Sequence, residues 1–228
     1  INKSGKTVVS VDIPSGVNGD TGEIMGICTK ADYTVTFGLP KVGNIFYPGF
    51  SFNGKLFLSH ISFPPTLYEK ETIKIFINEV TPLPERKKDG HKGDFGDTLF
   101  IAGSRFYLGA PLFSSLSFLK SGGGYSRLAT AKSIVNSISC GASEVVFIPL
   151  EETDEGSISI KNLDKLINIS KKVDFVVIGP GLSLNQETQE FVREFVKVVE
   201  KPVLIDGDGL TAVSKDLKIL FGRKFPTV

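Results

Sequence analysis

From residue 91 onward the chain alternates short apolar runs with helical patterns, and this alternation limits the fold more than any other feature. Residues 175–178 and 203–205 are continuous apolar runs, as expected of strands in a parallel sheet whose two faces are covered by helices. Residues 186–200 predict a helix. Its apolar residues share one face: Phe191, Val192, Phe195, Val196 and Val199. This part of the chain is predicted to be an α/β sandwich.

Further elements complete this alternation. Strands are predicted at residues 98–102, 125–129 and 145–150, and a helix is predicted over residues 110–120.

The first part of the chain is different. Three β-rich runs are separated by Gly, Pro, Asn and Asp, and no long amphipathic helix lies between them: residues 7–11, 33–37 and 55–58. Too few elements are present here to cover a sheet on both faces. We therefore expect the final part of a domain, in a segment of a longer protein. The position of the single methionine, Met25, agrees with this expectation.

A proline-rich stretch joins the two patterns. Four prolines fall in it: Pro64, Pro65, Pro82 and Pro84. The stretch predicts a linker, within which residues 72–80 are able to form a short ordered element. The predicted organisation is a first domain over residues 1–64, a linker over 65–90 and a second domain over 91–228.

Composition excludes several classes of partner. The chain has 26 Lys and Arg against 25 Asp and Glu, and no extended basic stripe, so nucleic acid is a poor candidate. It also lacks an apolar run of the roughly 18 residues needed to cross a bilayer. Cys28 and Cys140 fit no metal-ligand spacing. We expect a cytoplasmic protein without a membrane partner.

Glycine-rich turns follow three of the strands predicted in the second domain, at residues 102–104, 179–182 and 206–210. Ligands of parallel sheets gather beyond the carboxyl ends of the strands, and glycine lets a phosphate or ribose approach the backbone closely. One such turn is often only a tight connection. Three along one sheet favour a nucleotide-sized site.

Polar residues near these turns have two interpretations each. Asp206 is positioned to bind Mg²⁺, hold a ribose hydroxyl or assist proton transfer. Asp208 is equally well explained as a helix N-cap. Lys92 is a candidate for an anionic ligand, although a solvated loop lysine is the simpler interpretation. In the first domain, the oxygen-rich loop of residues 12–20 fits either a hard cation or an ordinary turn.

Two groups of motifs together resemble a known family. The sequence Ser-Val-Asp-Ile-Pro-Ser-Gly at residues 10–16, followed by Asn-Gly-Asp-Thr-Gly at 18–22, resembles the end of NAD(P)H-hydrate epimerase domains, which are Rossmann-like αβα domains. The second domain resembles the NAD(P)H-hydrate dehydratases of the ribokinase-like superfamily. The motifs that carry this resemblance are His-Lys-Gly-Asp-Phe-Gly at 91–96, Gly-Ala-Pro at 109–111, Ser-Gly-Gly-Gly at 121–124, Gly-Pro-Gly-Leu at 179–182 and Asp-Gly-Asp-Gly-Leu at 206–210.

In tandem, the two groups resemble bifunctional NAD(P)H-hydrate repair enzymes over essentially the whole chain. The resemblance implies repair of cofactors in which water has added across the C5–C6 double bond of the reduced nicotinamide ring. The first domain would interconvert the R and S hydrates. Asp12 would contact the hydrate as acid or base, and Ser15 would supply an oxygen to K⁺.

The second domain, by the same resemblance, would dehydrate S-NADHX and S-NADPHX with ADP as co-substrate, giving NAD(P)H, AMP and phosphate. Mg²⁺ would screen the phosphates. Ala110 and Gly181 match hydrate-binding positions, and Asp206 is a candidate support for substrate or metal. Members of the family form homo-oligomers, so the resemblance also implies a homo-oligomer.

The match departs from the family in places. Asp-Gly-Asp-Gly-Leu stands where many relatives have alanines, and Gly-Gly-Gly-Tyr replaces Gly-Ala-Gly-Leu. We expect the first half of the epimerase domain and the adenosine-phosphate site of the dehydratase to lie outside the chain. Two other functions stay open: a ribokinase-like small-molecule kinase and a non-catalytic nucleotide-binding module.

Overall fold

The computed structural model describes residues 1–69, 73–78 and 80–228. The chain divides into two compact units, Ile1–Val80 and Thr81–Val228, each with its own parallel sheet. The predicted domain boundaries remain predictions. The short ordered element predicted over residues 72–80 lies partly outside the described residues.

The first unit holds a three-stranded sheet in the order β1-β2-β3, and all three predicted strands are confirmed. The strands are β1 (Val9–Val11), β2 (Tyr33–Phe37) and β3 (Lys55–Ser59), and the short helix α1 (Val42–Ile45) follows β2. β1 begins at Val9 rather than at Thr7. The reason is that the Val8 N–H donates to Asp32 Oδ2 at 2.8 Å instead of to a strand.

The second unit is an α/β sandwich of the kind predicted. Its strands are β4 (Asp97–Ile101), β5 (Tyr125–Ala131), β6 (Val146–Leu150), β7 (Phe175–Ile178) and β8 (Val203–Ile205). Its helices are α2 (Gly109–Lys120), α3 (Val135–Ser139), α4 (Leu163–Ser170), α5 (Gln186–Val198) and α6 (Asp208–Ser214). All the strand pairs are parallel.

The strand order of this sheet is β6-β5-β4-β7-β8. From β4 the chain builds outward through β5 to β6, and it then returns across the sheet to place β7 on the other side of β4. The connections that leave β4 and β7 therefore run in opposite directions. This is a topological switch point, where open α/β sheets form a crevice at the carboxyl ends of the strands.

Side chains of β4 alternate between two apolar cores. Leu99 and Ile101 belong to a core that includes Phe191 and Phe195 of α5. Phe100 belongs to a second core, against which α2 and α3 pack. Both faces of the sheet are therefore covered, as the continuous apolar runs predicted.

Helix α5 ends at Val198, earlier than the predicted end at residue 200. The guanidinium of Arg223 donates to the carbonyl oxygens of Val196, in the last turn, and of Val199 and Lys201, just beyond the helix. The first of these is a group that a helix end leaves without a partner. Within the described part of the chain, no helix combines the length and apolar character that crossing a membrane requires.

Candidate functional site

The first candidate site surrounds Asp12, the residue that follows β1. Its backbone has a φ of 67°, a conformation uncommon for residues other than glycine. One carboxylate oxygen, Oδ1, accepts hydrogen bonds from the Phe37 N–H at 3.0 Å and from Thr36 Oγ1 at 3.2 Å. It also accepts one from Lys41 Nζ. The carboxyl ends of β1 and β2 thus converge on one carboxylate.

Lys41 is a site residue that the sequence reasoning missed. Its ammonium group donates to Asp12 and also to the carbonyl oxygen of Phe37, at 2.9 Å. The buried amide of Asn44 fixes the segment, because its Oδ1 accepts from the Lys41 N–H at 2.8 Å. The available signal was the Gly-Leu-Pro-Lys sequence directly after β2, at the same sheet edge as Asp12.

The electrostatics keep Asp12 ionised. Burial raises the pKa of its carboxyl, but the hydrogen bonds from Lys41, Phe37 and Thr36, together with the charge of Lys41, outweigh burial and hold the pKa below its ordinary value. The side chain is 38% exposed. An ionised, accessible carboxylate beside an ammonium group is able to accept a proton from a bound ligand.

Ser15 lies in the turn after Asp12 and is exposed. Its carbonyl oxygen accepts from the Thr29 N–H at 2.8 Å, while its hydroxyl makes no hydrogen bond to any residue that the structure describes. Gly16 has a φ of 93° and passes so close to Ile27 that a side chain would not fit. Asn18 is used by the turn itself, because its Oδ1 accepts from the N–H of Asp20 at 2.9 Å.

The second candidate site lies at the switch point between β4 and β7. The N–H of Gly103 donates to the Pro180 carbonyl oxygen at 2.9 Å, and Ser104 Oγ donates to the Gly181 carbonyl oxygen at 3.0 Å. These bonds join the turn after β4 to the turn after β7. Two of the three predicted glycine-rich turns therefore form one crevice edge.

Gly181 and Ala110, the two predicted hydrate-binding positions, are brought together there. A methyl group added at Gly181 would lie 2.8 Å from Tyr107 Cβ and 3.0 Å from Ala110 Cβ. Gly181 also has a φ of 64°. Space and backbone conformation both favour glycine at this position.

The third glycine-rich turn, after β8, adjoins the second. The Asp206 N–H donates to the Ile178 carbonyl oxygen at 3.0 Å, and a Cβ at Gly179 would lie 1.8 Å from the Asp206 carbonyl oxygen. The Asp206 side chain is exposed and accepts no hydrogen bond from the described residues. Asp208 differs, because its Oδ2 accepts from the Ser183 N–H at 2.8 Å.

Lys92 lies at the opposite end of this sheet. It begins a 3₁₀ helix (Lys92–Phe95), and its ammonium stands 4.7 Å from the ring centroid of Tyr125, the first residue of β5. The carboxyl-end crevice does not include it. The structure therefore favours the simpler interpretation of Lys92 as a loop lysine.

Comparison with known proteins decides the family of the second unit. Residues 98–228, more than half of the chain, match the model of the NAD(P)H-hydrate dehydratase family. The chain belongs to this family. Residues 1–43 match a second model, the YjeF-related protein N-terminus.

Two curated relatives are described as bifunctional enzymes. The chain is 54% identical over 228 residues to the bifunctional NAD(P)H-hydrate repair enzyme Nnr of Thermofilum pendens, covering all of the chain and 44% of the relative. It is 34% identical over 232 residues to the enzyme of the same description from Moorella thermoacetica, again covering 44% of it. The chain thus spans under half the length of these relatives.

Solved structures agree on the fold of this dehydratase-family chain. A ribokinase-like superfamily protein from Enterococcus faecalis matches with a TM-score of 0.50 and 24% identity, over 58% of the chain and 44% of that protein. A hypothetical protein from Streptococcus mutans matches with a TM-score of 0.51 and 24% identity, over 64% of the chain and 48% of that protein. The predicted ribokinase-like fold is confirmed.

Replacement of Lys41 tests the electrostatics of the first site. In Lys41→Met, we expect the pKa of the Asp12 carboxyl to rise, because its strongest donor and the nearby positive charge are lost while burial remains. A carboxyl ¹³C NMR titration of the full-length protein measures the change. Lys30→Met, which removes an exposed lysine of the same unit, is the matched control. An unchanged Asp12 titration in Lys41→Met would refute the pairing.

Proposed function

We propose that the protein containing this chain repairs hydrated nicotinamide cofactors, and that the crevice between β4 and β7 binds the hydrate for dehydration. The proposal rests on one observation: Gly181 and Ala110 lie next to each other at the switch point of a dehydratase-family fold. Small residues at this point leave room for a flat, partly saturated ring to approach the backbone. The substrates proposed are S-NADHX and S-NADPHX.

The chemistry requires help with the leaving group. Hydroxide leaves poorly, so the proposed reaction transfers the terminal phosphoryl group of ADP to the C6 hydroxyl of the hydrate, which releases AMP. Phosphate then departs from C6 as a proton leaves C5, which restores the double bond of NAD(P)H. Magnesium, when bound, would neutralise charge on the phosphates.

Asp206 is the residue of this chain that best fits the metal-nucleotide complex. Its carboxylate is exposed directly after β8, and no hydrogen bond from the described residues occupies it. Magnesium commonly takes only one or two protein carboxylates and completes its shell with water and phosphate oxygens. A single carboxylate is therefore sufficient, and we assign Asp206 this supporting role.

The first unit is proposed to epimerise the hydrate at C6. Lys41, Phe37 and Thr36 hold Asp12 in its ionised, proton-accepting form, and its side chain is accessible to a ligand. The hydroxyl of Ser15, left without a partner among the described residues, would offer one oxygen to K⁺. The proposed partners are the small-molecule substrates NADHX and NADPHX. We propose that the protein is cytoplasmic and forms a homo-oligomer.

A dehydration assay with a matched pair of glycine variants tests the second site. The full-length protein, given S-NADHX with ADP or ATP, should produce NADH, which is followed by its absorbance. In Gly181→Ala we expect kcat/KM for the hydrate to fall about 10- to 100-fold, because the new methyl group displaces Tyr107 or Ala110.

The control for this variant is Gly222→Ala. Gly222 also has a positive φ, 80°, but a Cβ there would meet nothing within 4 Å, so the substitution introduces backbone strain without blocking the crevice. Its kcat/KM should stay close to that of the unmodified protein. The dehydratase proposal fails if neither nucleotide supports NADH production.

Replacement of Asp12 tests the first site separately. Asp12→Asn removes the proton-accepting carboxylate, so conversion of R-NADHX to S-NADHX should be lost while dehydration of the S hydrate continues. Chromatographic separation of the two epimers measures both reactions. Asp20→Asn changes an exposed carboxylate in the same loop and should leave both intact. Loss of both reactions in Asp12→Asn, or of neither, would contradict separate sites.

A further inference from the structure

We propose that Asp208 is a positioning residue of the dehydratase, which holds the turn after β7 in the conformation that presents Gly181 to the hydrate. The inference rests on the proposed function of this crevice. Asp208 acts through Ser183, two residues beyond Gly181, rather than by touching the substrate.

The carboxylate of Asp208 serves a neighbouring turn instead of its own helix. Asp208 is the first residue of α6, and its Oδ2 accepts a hydrogen bond from the Ser183 N–H at 2.8 Å. The N-cap position of α6 belongs to Gly207, and no side chain caps this helix. The N-cap interpretation of Asp208 therefore does not explain the residue. A charged acceptor strengthens its bond to the backbone N–H relative to a neutral one.

Ser183 needs such a tether. Its φ is 71°, which for a non-glycine residue costs free energy and persists only when surrounding contacts impose it. A second contact comes from the opposite side, where Ser183 Oγ and Ser157 Oγ lie 2.6 Å apart. Asp208 and Ser157 thus hold the strained residue from two separate parts of the fold.

The same turn carries Gly181. At its start, the N–H of Gly179 donates to the Ile101 carbonyl oxygen at 3.1 Å, which anchors the turn to β4. In its middle, the Gly181 carbonyl oxygen accepts from Ser104 Oγ. The bond from Ser183 to Asp208 anchors its end. Without the bond to Asp208, we expect Ser183 to relax from its strained conformation and Gly181 to shift relative to Ala110.

The two aspartates that follow β8 therefore have different roles. The exposed Asp206 carboxylate is available to the metal-nucleotide complex, whereas the Asp208 carboxylate is committed to Ser183. Loss of Asp208 should weaken hydrate binding and leave nucleotide binding unchanged. A residue needed only for the stability of α6 would produce no such difference between the two ligands.

Steady-state kinetics of the full-length protein test this assignment. In Asp208→Ala we expect KM for S-NADHX to rise about tenfold, because a charge-assisted hydrogen bond to the turn is lost. KM for ADP should stay within about twofold of the unmodified value, since the turn and not the nucleotide site is affected. Asp208→Asn keeps an acceptor oxygen for Ser183, so its hydrate KM should rise by no more than about threefold.

Two further variants complete the design. Asp216→Ala is the matched control, because Asp216 Oδ1 accepts from the N–H of Lys218 in a separate helical turn of the same unit. Both of its KM values should remain unchanged. Ser157→Ala removes the second contact to Ser183 and should raise the hydrate KM in the same selective way, which keeps the test available if Asp208→Ala does not fold.

The possible results distinguish failure of the dehydratase function from failure of the positioning role of Asp208. Absence of NADH formation by the unmodified protein would refute the dehydratase function itself. With an active unmodified protein, an unchanged hydrate KM in Asp208→Ala would overturn the positioning role. A selective rise in the ADP KM would also overturn it, because it points to a role at the nucleotide. Equal rises of the hydrate KM in Asp208→Asn and Asp208→Ala would overturn it as well, because they would show that the charge of Asp208 matters and not an acceptor for Ser183.

Discussion

The junction between the turns after β4 and β7 is the constraint on which the second unit depends. Two hydrogen bonds cross it, from Gly103 to Pro180 and from Ser104 to Gly181. They place Ala110, at the start of α2, against a glycine that has no room for a side chain. The crevice is therefore shaped by hydrogen bonds between the turns after β4 and β7, whose connections leave the middle of the sheet in opposite directions.

The two covered faces of the sheet fix the position of this junction. Neighbouring residues of β4 point into separate apolar cores, with Leu99 packed toward α5 and Phe100 toward α2 and α3. Burial on both faces fixes the register of each strand, and therefore the position of its carboxyl end along the strand direction. Turns that follow the strands inherit that position, which is how residues distant in sequence meet at one edge.

Much of this architecture was predictable because it follows from local patterns. Apolar runs predicted the strands, and the rule that ligands gather beyond the carboxyl ends of parallel strands pointed to the glycine-rich turns at one edge of the sheet. Ala110 and Gly181 were named only through the resemblance to the dehydratase family. The bond of Lys41 to Asp12 and that of Ser183 to Asp208 were not predictable from periodicity, although Lys41 follows β2 at the sheet edge where Asp12 lies. Lys41 reaches Asp12 across 29 residues, and Asp208 reaches Ser183 across 25. Such pairs depend on the lengths and directions of connections that periodicity does not encode.

Hydrogen–deuterium exchange of the full-length protein, with and without saturating S-NADHX in the absence of nucleotide, tests the location of the hydrate site most directly. Bound hydrate should slow exchange in peptides covering residues 103–111 and 179–185, which form the two sides of the crevice. Peptides over α4, residues 163–170, serve as an internal reference and should not change. Binding of the hydrate without protection of either crevice segment would contradict the assignment of this site.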